Sequence, residues 1–321
     1  MNREGVKIAL VGAGTIGVAW GVVFARAGFP VALYDPDPQR LRDAERDLER
    51  RLRRLAGGGL LDEAPDTVVR RVRFVAALEE ALEGAVHVQE NAPEELDLKR
   101  ALFREVDAAA PAQATLASSS SALSASRFAS ELPGRARCLV AHPGNPPYLL
   151  PVVELVPAPF TALAVVERVH RLLAQSGMSP VVVQREVEGF VFNRLQGALL
   201  REAYCLVRDG IASVEDVDRV VREGLGRRWA VTGPFETAEL NTRGGIGAHA
   251  AKLGAAYARM GAERGQHDPW TPELVERVAE ELHRRLPPER WEELVARRDD
   301  ALIALERARR QSGLFDESMA W

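Results

Sequence analysis

The chain of 321 residues is 46% hydrophobic and 27% charged, ordinary globular composition for about two domains. Its 42 basic and 46 acidic residues leave a formal charge of −4, which argues against nucleic acid or a membrane surface as the partner. Cys138 and Cys205 lie far apart and signal neither a disulfide framework nor a zinc site; Val6–Val11, the longest early apolar run, is too short for a signal-peptide core or a membrane span, so a reducing cytoplasm is expected.

Residues 6–11 predict a strand, about 16–27 a helix, and 30–34 a second strand, a β-α-β unit of about 30 residues. Residues 37–55 carry Leu41, Leu48, Leu52 and Leu55 on one helical face, and Gly57-Gly58-Gly59 breaks that helix. A second helical piece at about 62–71 completes an inserted hairpin. Further strands are predicted near 72–75, 86–89, 114–118, 137–141, 151–156 and 180–184, with helices at 96–109 and 161–176. This alternation predicts an α/β fold with a mostly parallel sheet covered on both faces. After about Glu188 the pattern is helical only. Ser213 with Asp216 resembles a capping box opening 214–223, closed by Gly224. Thr271-Pro272 opens a helix to about Leu286, and a last helix runs from about 290 to 310. The expected organisation is a Rossmann-type domain over 1–188 and an all-α domain over 189–321. Apolar helix faces bearing Leu195, Leu199, Leu200, Leu206 and Val207, then Val217, Val220, Val221 and Leu225, exceed what the second domain can bury, so a homodimer through it is expected.

The first strand runs into Gly12-Ala13-Gly14-Thr15-Ile16-Gly17, a G-x-G-x-x-G after a strand and opening a helix. The first glycine permits the turn, the second admits a pyrophosphate, and the third lets helix and strand pack. Free N–H groups and the positive helix end would face the phosphates. Asp35 ends the second strand, where a carboxylate binds adenosine ribose hydroxyls and repels a 2′-phosphate, so NAD is the expected cofactor. A glycine turn of another βα unit is the alternative.

Of six histidines, His87, His170, His249, His267 and His283 have no interpretable acidic neighbours. His142 ends the apolar strand CLVA, and Glu154 interrupts the apolar run PVVELVP. A carboxylate inside a buried strand needs a partner, and a neighbouring strand ending in His supplies one. A Glu-oriented imidazole can take a hydroxyl proton as hydride leaves carbon. A purely structural pair is the alternative.

Residues 141–157, AHPGNPPYLLPVVELVP, resemble the signature of the lambda-crystallin and L-gulonate 3-dehydrogenase branch of the 3-hydroxyacyl-CoA dehydrogenase superfamily. VGAGTIGVAW, QENAPEELDLK, EVEGFVFNRLQ and EGLGRRWAVTGPFETAELN extend the resemblance over nearly the whole chain, in order. It implies His142 as the catalytic base and Glu154 as its orienting partner. It implies Ser121 and Asn193 as catalytic and substrate-binding residues. Glu94, Lys99 and Asn145 join the glycine loop and Asp35 among the cofactor residues. Lys99 is one of only three lysines in an arginine-rich chain. On residue type alone, Ser121 could equally be a loop or capping serine, and Asn193 a buried structural amide. Acyl-CoA members carry an HFFNP-type segment and a C-terminal G-F-Y, whereas this chain has HPGNPPY and a long tail. The resemblance therefore implies NAD-dependent oxidation of the 3-hydroxyl of a small free acid, foremost L-gulonate. The competing readings are a carnitine dehydrogenase, a 3-hydroxyacyl-CoA dehydrogenase, and an NAD-binding structural or sensory protein without catalysis. A free acid needs a cation, for which Arg228 is the candidate and Arg243 the runner-up, a solvated surface charge being the alternative for each.

Overall fold

A computed structural model describes residues 5–230, 232–243, 245–264, 273 and 287–312. The expected helix over 271–286 lies outside the described residues apart from Glu273. Contacts divide the chain into two units, one formed by 1–194 with 299–311, the other by 195–298 with 312–321.

The first unit is an α/β layer structure. Its elements are β1 Lys7–Val11, α1 Thr15–Arg26, β2 Val31–Tyr34, α2 Pro38–Gly57, α3 Pro65–Val69, β3 Val72–Val75, α4 Leu78–Leu82, β4 Ala85–Glu90, α5 Leu96–Ala109, β5 Thr115–Ser118, α6 Ala125–Ala129, β6 Cys138–Pro143, β7 Val152–Pro157, α7 Leu163–Gln175 and β8 Ser179–Val182. The eight strands order as β3-β2-β1-β4-β5-β6-β7-β8. All neighbours are parallel except β6 and β7. The chain reverses its direction of winding between β1 and β4, the crevice where open α/β sheets bind ligands.

Alternation along the strands creates two cores. Ile8, Leu10 and Leu33 face Trp20, Phe24, Leu48 and Leu52 of α1 and α2. Ala9, Val11, Val88 and Leu116 face Phe103, Val106 and Phe128 of α5 and α6. The inserted hairpin is α2 and α3, and α2 ends at Gly58-Gly59, with Gly59 at φ +71°. Arg54 of α2 pairs with Asp300 at 2.6 Å, and Ile303 packs where a Cβ on Gly58 would fall 2.2 Å from its Cγ2.

The second unit's described elements are helical: most of α8 Phe192–Arg208, then α9 Val214–Val220, α10 Gly226–Trp229, α11 Pro234–Asn241, α12 Gly245–Arg264 and the start of α13 Trp291–Ser312. Ser213 caps α9 by accepting from the Asp216 N–H at 3.1 Å. Gly224, expected to stop this helix, does not. A π-helical turn over Val221–Leu225 carries it into α10, and Gly224 lacks the positive φ of a C-terminal glycine cap. No described helix is long and apolar enough to cross a membrane.

His87 on β4 is fully buried between Phe24, Thr115 and Gln89, and burial lowers its pKa to about 4 against a weaker opposing pull from Gln89. The unfolded chain takes up this proton near 6.5, so stability falls as pH drops from 6.5 towards 4. Between pH 7 and pH 5 the loss should be about 2 kcal/mol. Urea unfolding at the two pH values should show wild type losing that much more than His87→Gln; equal losses would contradict the linkage.

Candidate active site

The glycine loop, Asp35, Glu94, Ser121, His142 and Asn145 lie at or just beyond the C-terminal ends of parallel strands β1, β2, β4, β5 and β6. Gly12 follows β1 at φ +103°, and a Cβ there would sit 3.0 Å from the backbone of Asn91. A Cβ on Gly17 would lie 1.9 Å from the Gly12 carbonyl oxygen, so this glycine is fixed by packing. A Cβ on Gly14 would meet nothing within 4 Å. The open side of the loop is therefore at Gly14, which has no side chain to cap α1. The α1 N-terminus, beginning Thr15-Ile16, also has no acidic residue in its first turn. An uncapped helix start with open space before it is an anion cradle. Asp35 is buried; its Oδ2 accepts the Ala13 N–H at 3.0 Å and its Oδ1 the Asp37 N–H at 3.0 Å. The carboxylate is thus locked to the glycine loop, with lone pairs left for ribose hydroxyls.

Reversal of β7 against β6 puts His142 in register with Glu154. Nδ1 of His142 lies 2.9 Å from Oε2 of Glu154, and both side chains are buried. The other carboxylate oxygen, Oε1, accepts the N–H groups of Val191 at 2.7 Å and Phe192 at 2.9 Å. Burial pushes the Glu154 carboxyl up, but hydrogen bonds from His142, Phe192 and Val191 outweigh it and hold it below the usual range. An ionised carboxylate only accepts, so Nδ1 carries the proton. Nε2 makes no hydrogen bond to the described residues and is the nitrogen left to receive one.

The backbone feeding those donors is special. Gly189 has φ +75° and Phe190 φ +48°, the one non-glycine residue in the left-handed region among the described residues. Such a conformation costs about 1–3 kcal/mol and persists only when its surroundings fix it. Phe190 is fully buried, with its ring 5.7 Å from that of His142. Phe192 meets the same imidazole edge-on at 6.3 Å. Sequence reasoning missed both rings and both N–H groups; Gly189 was the only local signal.

Asn193, the second residue of α8, donates from Nδ2 to the backbone oxygen of Ser121 at 3.2 Å. Asn145 is exposed in the loop after β6. Lys99 is buried on α5 with Nζ at 2.9 and 3.0 Å from the two Glu90 oxygens and 3.3 Å from the Ala92 carbonyl. Glu94 lies 4.0 Å from it and accepts from Ser120 Oγ and from the N–H groups of Ala122 and Leu123. Burial raises the Glu94 carboxyl, but those bonds and Lys99 leave it below its ordinary value. Glu90, unnoticed in the sequence, is the partner that explains Lys99. Arg228 on α10 and Arg243 are exposed, and neither has an ion pair among the described residues. No cluster of metal-ligating side chains occurs among the described residues.

With this geometry in place, comparison with known proteins is decisive. The model of the 3-hydroxyacyl-CoA dehydrogenase NAD-binding domain matches residues 7–187, and that of the family's C-terminal domain matches 189–285. The chain belongs to the 3-hydroxyacyl-CoA dehydrogenase family. It is 38% identical to lambda-crystallin of Oryctolagus cuniculus, over 95% of this chain and 96% of that one. L-carnitine dehydrogenase of Streptomyces griseus is 42% identical over 77% of this chain and 72% of its own length. A solved structure of 5-formyl-3-hydroxy-2-methylpyridine 4-carboxylic acid 5-dehydrogenase, an NAD+-dependent dismutase, superposes with TM-score 0.80 at 28% identity, covering 94% of this chain and 97% of that one. The dehydrogenase takes NAD, and its open Gly14 cradle and uncapped α1 fit that cofactor.

The ring tautomer gives a test that needs no substrate. In Glu154→Gln the amide oxygen replaces Oε1 beneath the two N–H groups, and the NH2 then faces Nδ1. The ring proton must move to Nε2. Nitrogen-15 shifts should report Nδ1–H in wild type and Nε2–H in the variant; an unchanged tautomer would remove Glu154 as the orienting group. For the cofactor, wild type should favour NAD over NADP, and Asp35→Ser should narrow the gap in measured affinities. Equal affinity in the wild type would rule out Asp35 as the ribose residue.

Proposed function

We propose that this dehydrogenase oxidises the 3-hydroxyl of a small free hydroxy acid, with L-gulonate as the leading substrate, using His142 as general base. The observation that carries the reading is the buried His142–Glu154 pair with Nε2 free. Bound NAD supplies the hydride acceptor. The substrate O–H gives its proton to Nε2 of His142 while the adjacent carbon gives up hydride, leaving a carbonyl. Glu154 stabilises the imidazolium so formed and keeps it upright between Phe190 and Phe192. Asn193 holds the Ser121 backbone, and the Ser121 hydroxyl is assigned to the substrate oxygen.

The free-acid assignment rests on the HPGNPPY segment and on similarity to lambda-crystallin along almost the full chain. Similarity to the Streptomyces griseus enzyme favours carnitine as the second reading. Exposed Leu195, Leu199 and Leu200 on α8 and Val220 on α9 support a homodimer through the helical unit.

A panel of 3-hydroxy acids, including gulonate and carnitine, followed at the nicotinamide absorbance, should identify a free-acid substrate. Acetoacetyl-CoA reduced as fast as that acid is oxidised would overturn the assignment. His142→Asn should lower turnover by about a hundredfold or more while NAD binding persists. Near-normal turnover in that variant would eliminate His142 as the base.

A further inference from the structure

The hydrogen bonds behind the glycine loop form a second constellation, on the α1 side of the sheet. Its hub is Ser119, just after β5. The Ser119 Oγ accepts from Trp20 Nε1 at 2.9 Å and from Gln89 Nε2 at 2.7 Å, and donates to Asn91 Oδ1 at 2.8 Å. A hydroxyl has two lone pairs and one proton, so its capacity is filled.

Every other orientation follows. The indole N–H of Trp20 can only donate. Gln89 Nε2 also lies 3.3 Å from the Ala141 carbonyl, so it is the donor end, and Gln89 Oε1 faces His87. Nε2 of His87, 3.2 Å away, therefore carries the ring proton, and Nδ1 accepts from Thr115 Oγ1 at 2.7 Å. Asn91 Nδ2 donates to the Gln89 carbonyl at 2.9 Å, which leaves its oxygen for Ser119. No alternative set of donors satisfies these bonds.

The ends of this network are parts of the dinucleotide cradle. Trp20 is a fully buried residue of α1, one turn beyond Gly17. Asn91 follows β4, and its N–H donates to the Val11 carbonyl at 2.7 Å. Its backbone is the wall against which Gly12 turns, and its Nδ2 is 3.5 Å from where a Gly17 Cβ would be. One hydroxyl thus ties the helix that presents its N-terminus to the loop wall on which the glycines rest.

We propose that Ser119 is a positioning residue for NAD, fixing the register between α1 and the Asn91 wall without touching the cofactor's chemistry. Its removal leaves a buried indole N–H and an Asn91 carbonyl without a partner, and the cheapest relaxation is a shift of α1 or Asn91. The cradle needs sub-ångström placement, so affinity should respond.

Calorimetric titration of the full chain with NADH tests this. Ser119→Ala should raise the Kd about tenfold, equivalent to about 1.4 kcal/mol. Trp20→Phe, which keeps the ring and removes one donor, should raise it about threefold. Leu173→Ala, in the core under α7, serves as the comparison for general destabilisation, measured by urea unfolding. Its Kd should stay within twofold of wild type although it is at least as destabilised. A Ser119→Ala Kd within twofold of wild type would overturn the proposal, as would an equal loss of affinity in Leu173→Ala. Should Ser119→Ala not fold, Trp20→Phe decides: a threefold weakening supports the assignment and an unchanged Kd ends it.

Discussion

A carboxylate in the middle of a buried strand can stay ionised only if donors surround it, and Glu154 organises its neighbourhood for that reason. His142 approaches one oxygen, and two backbone N–H groups approach the other. Each requirement bends the chain. Antiparallel pairing of β6 and β7 is the break in an otherwise parallel sheet, and it places the two side chains in register on one face. The second demand is met by the left-handed pair Gly189-Phe190, which turns the N-terminus of α8 onto the carboxylate. A helix start favours the negative charge it faces, so the strained turn and the carboxylate stabilise one another. The same turn seats Phe190 against the imidazole and brings Asn193 to Ser121.

The cofactor half of the site is built differently. Its determinants are absences: open space at Gly14, no cap on α1, no Cβ at Gly17. Absences must be framed by something rigid, and the frame is the end of β4. On one face Gln89 and Asn91 join Ser119 and Trp20; on the other Glu90 joins Lys99, Ser118 and the Ala92 N–H. Successive residues 89 and 90 point to opposite faces of the strand, so one short stretch braces the crevice from both cores.

That contrast explains what the sequence alone discloses. The glycine loop and Asp35 are legible because their roles depend on chain neighbours within one β-α-β unit. His142 and Glu154 are legible because each breaks an apolar run, and two adjacent strands leave them one obvious partner. Glu90 and Ser119 are not, since polar residues at strand ends are common and their partners lie on α5, β4 and α1. Phe190 is invisible because nothing in a phenylalanine announces a positive φ. Gly224 misled for the complementary reason. Glycine permits a helix to end but does not compel it, and the chain continues through a π turn into α10.

The scarcity of lysine has a geometric side. An ammonium has three donors in a tetrahedral arrangement, whereas a guanidinium has five in a plane. At Lys99 three acceptors converge, two oxygens of Glu90 and the Ala92 carbonyl, in a site only 1% exposed. Three donors fill it, while an arginine would bring two more N–H groups into a buried pocket with nothing to receive them. Lys7 follows the same logic at the end of α4, where Nζ donates to the carbonyls of Glu80 and Glu83 at 2.9 and 2.7 Å. Those carbonyls belong to the last turn of a short helix and the residue after it, acceptors that a compact point charge can bridge. Two of the three lysines in this arginine-rich chain thus stand where the number and direction of acceptors suit an ammonium.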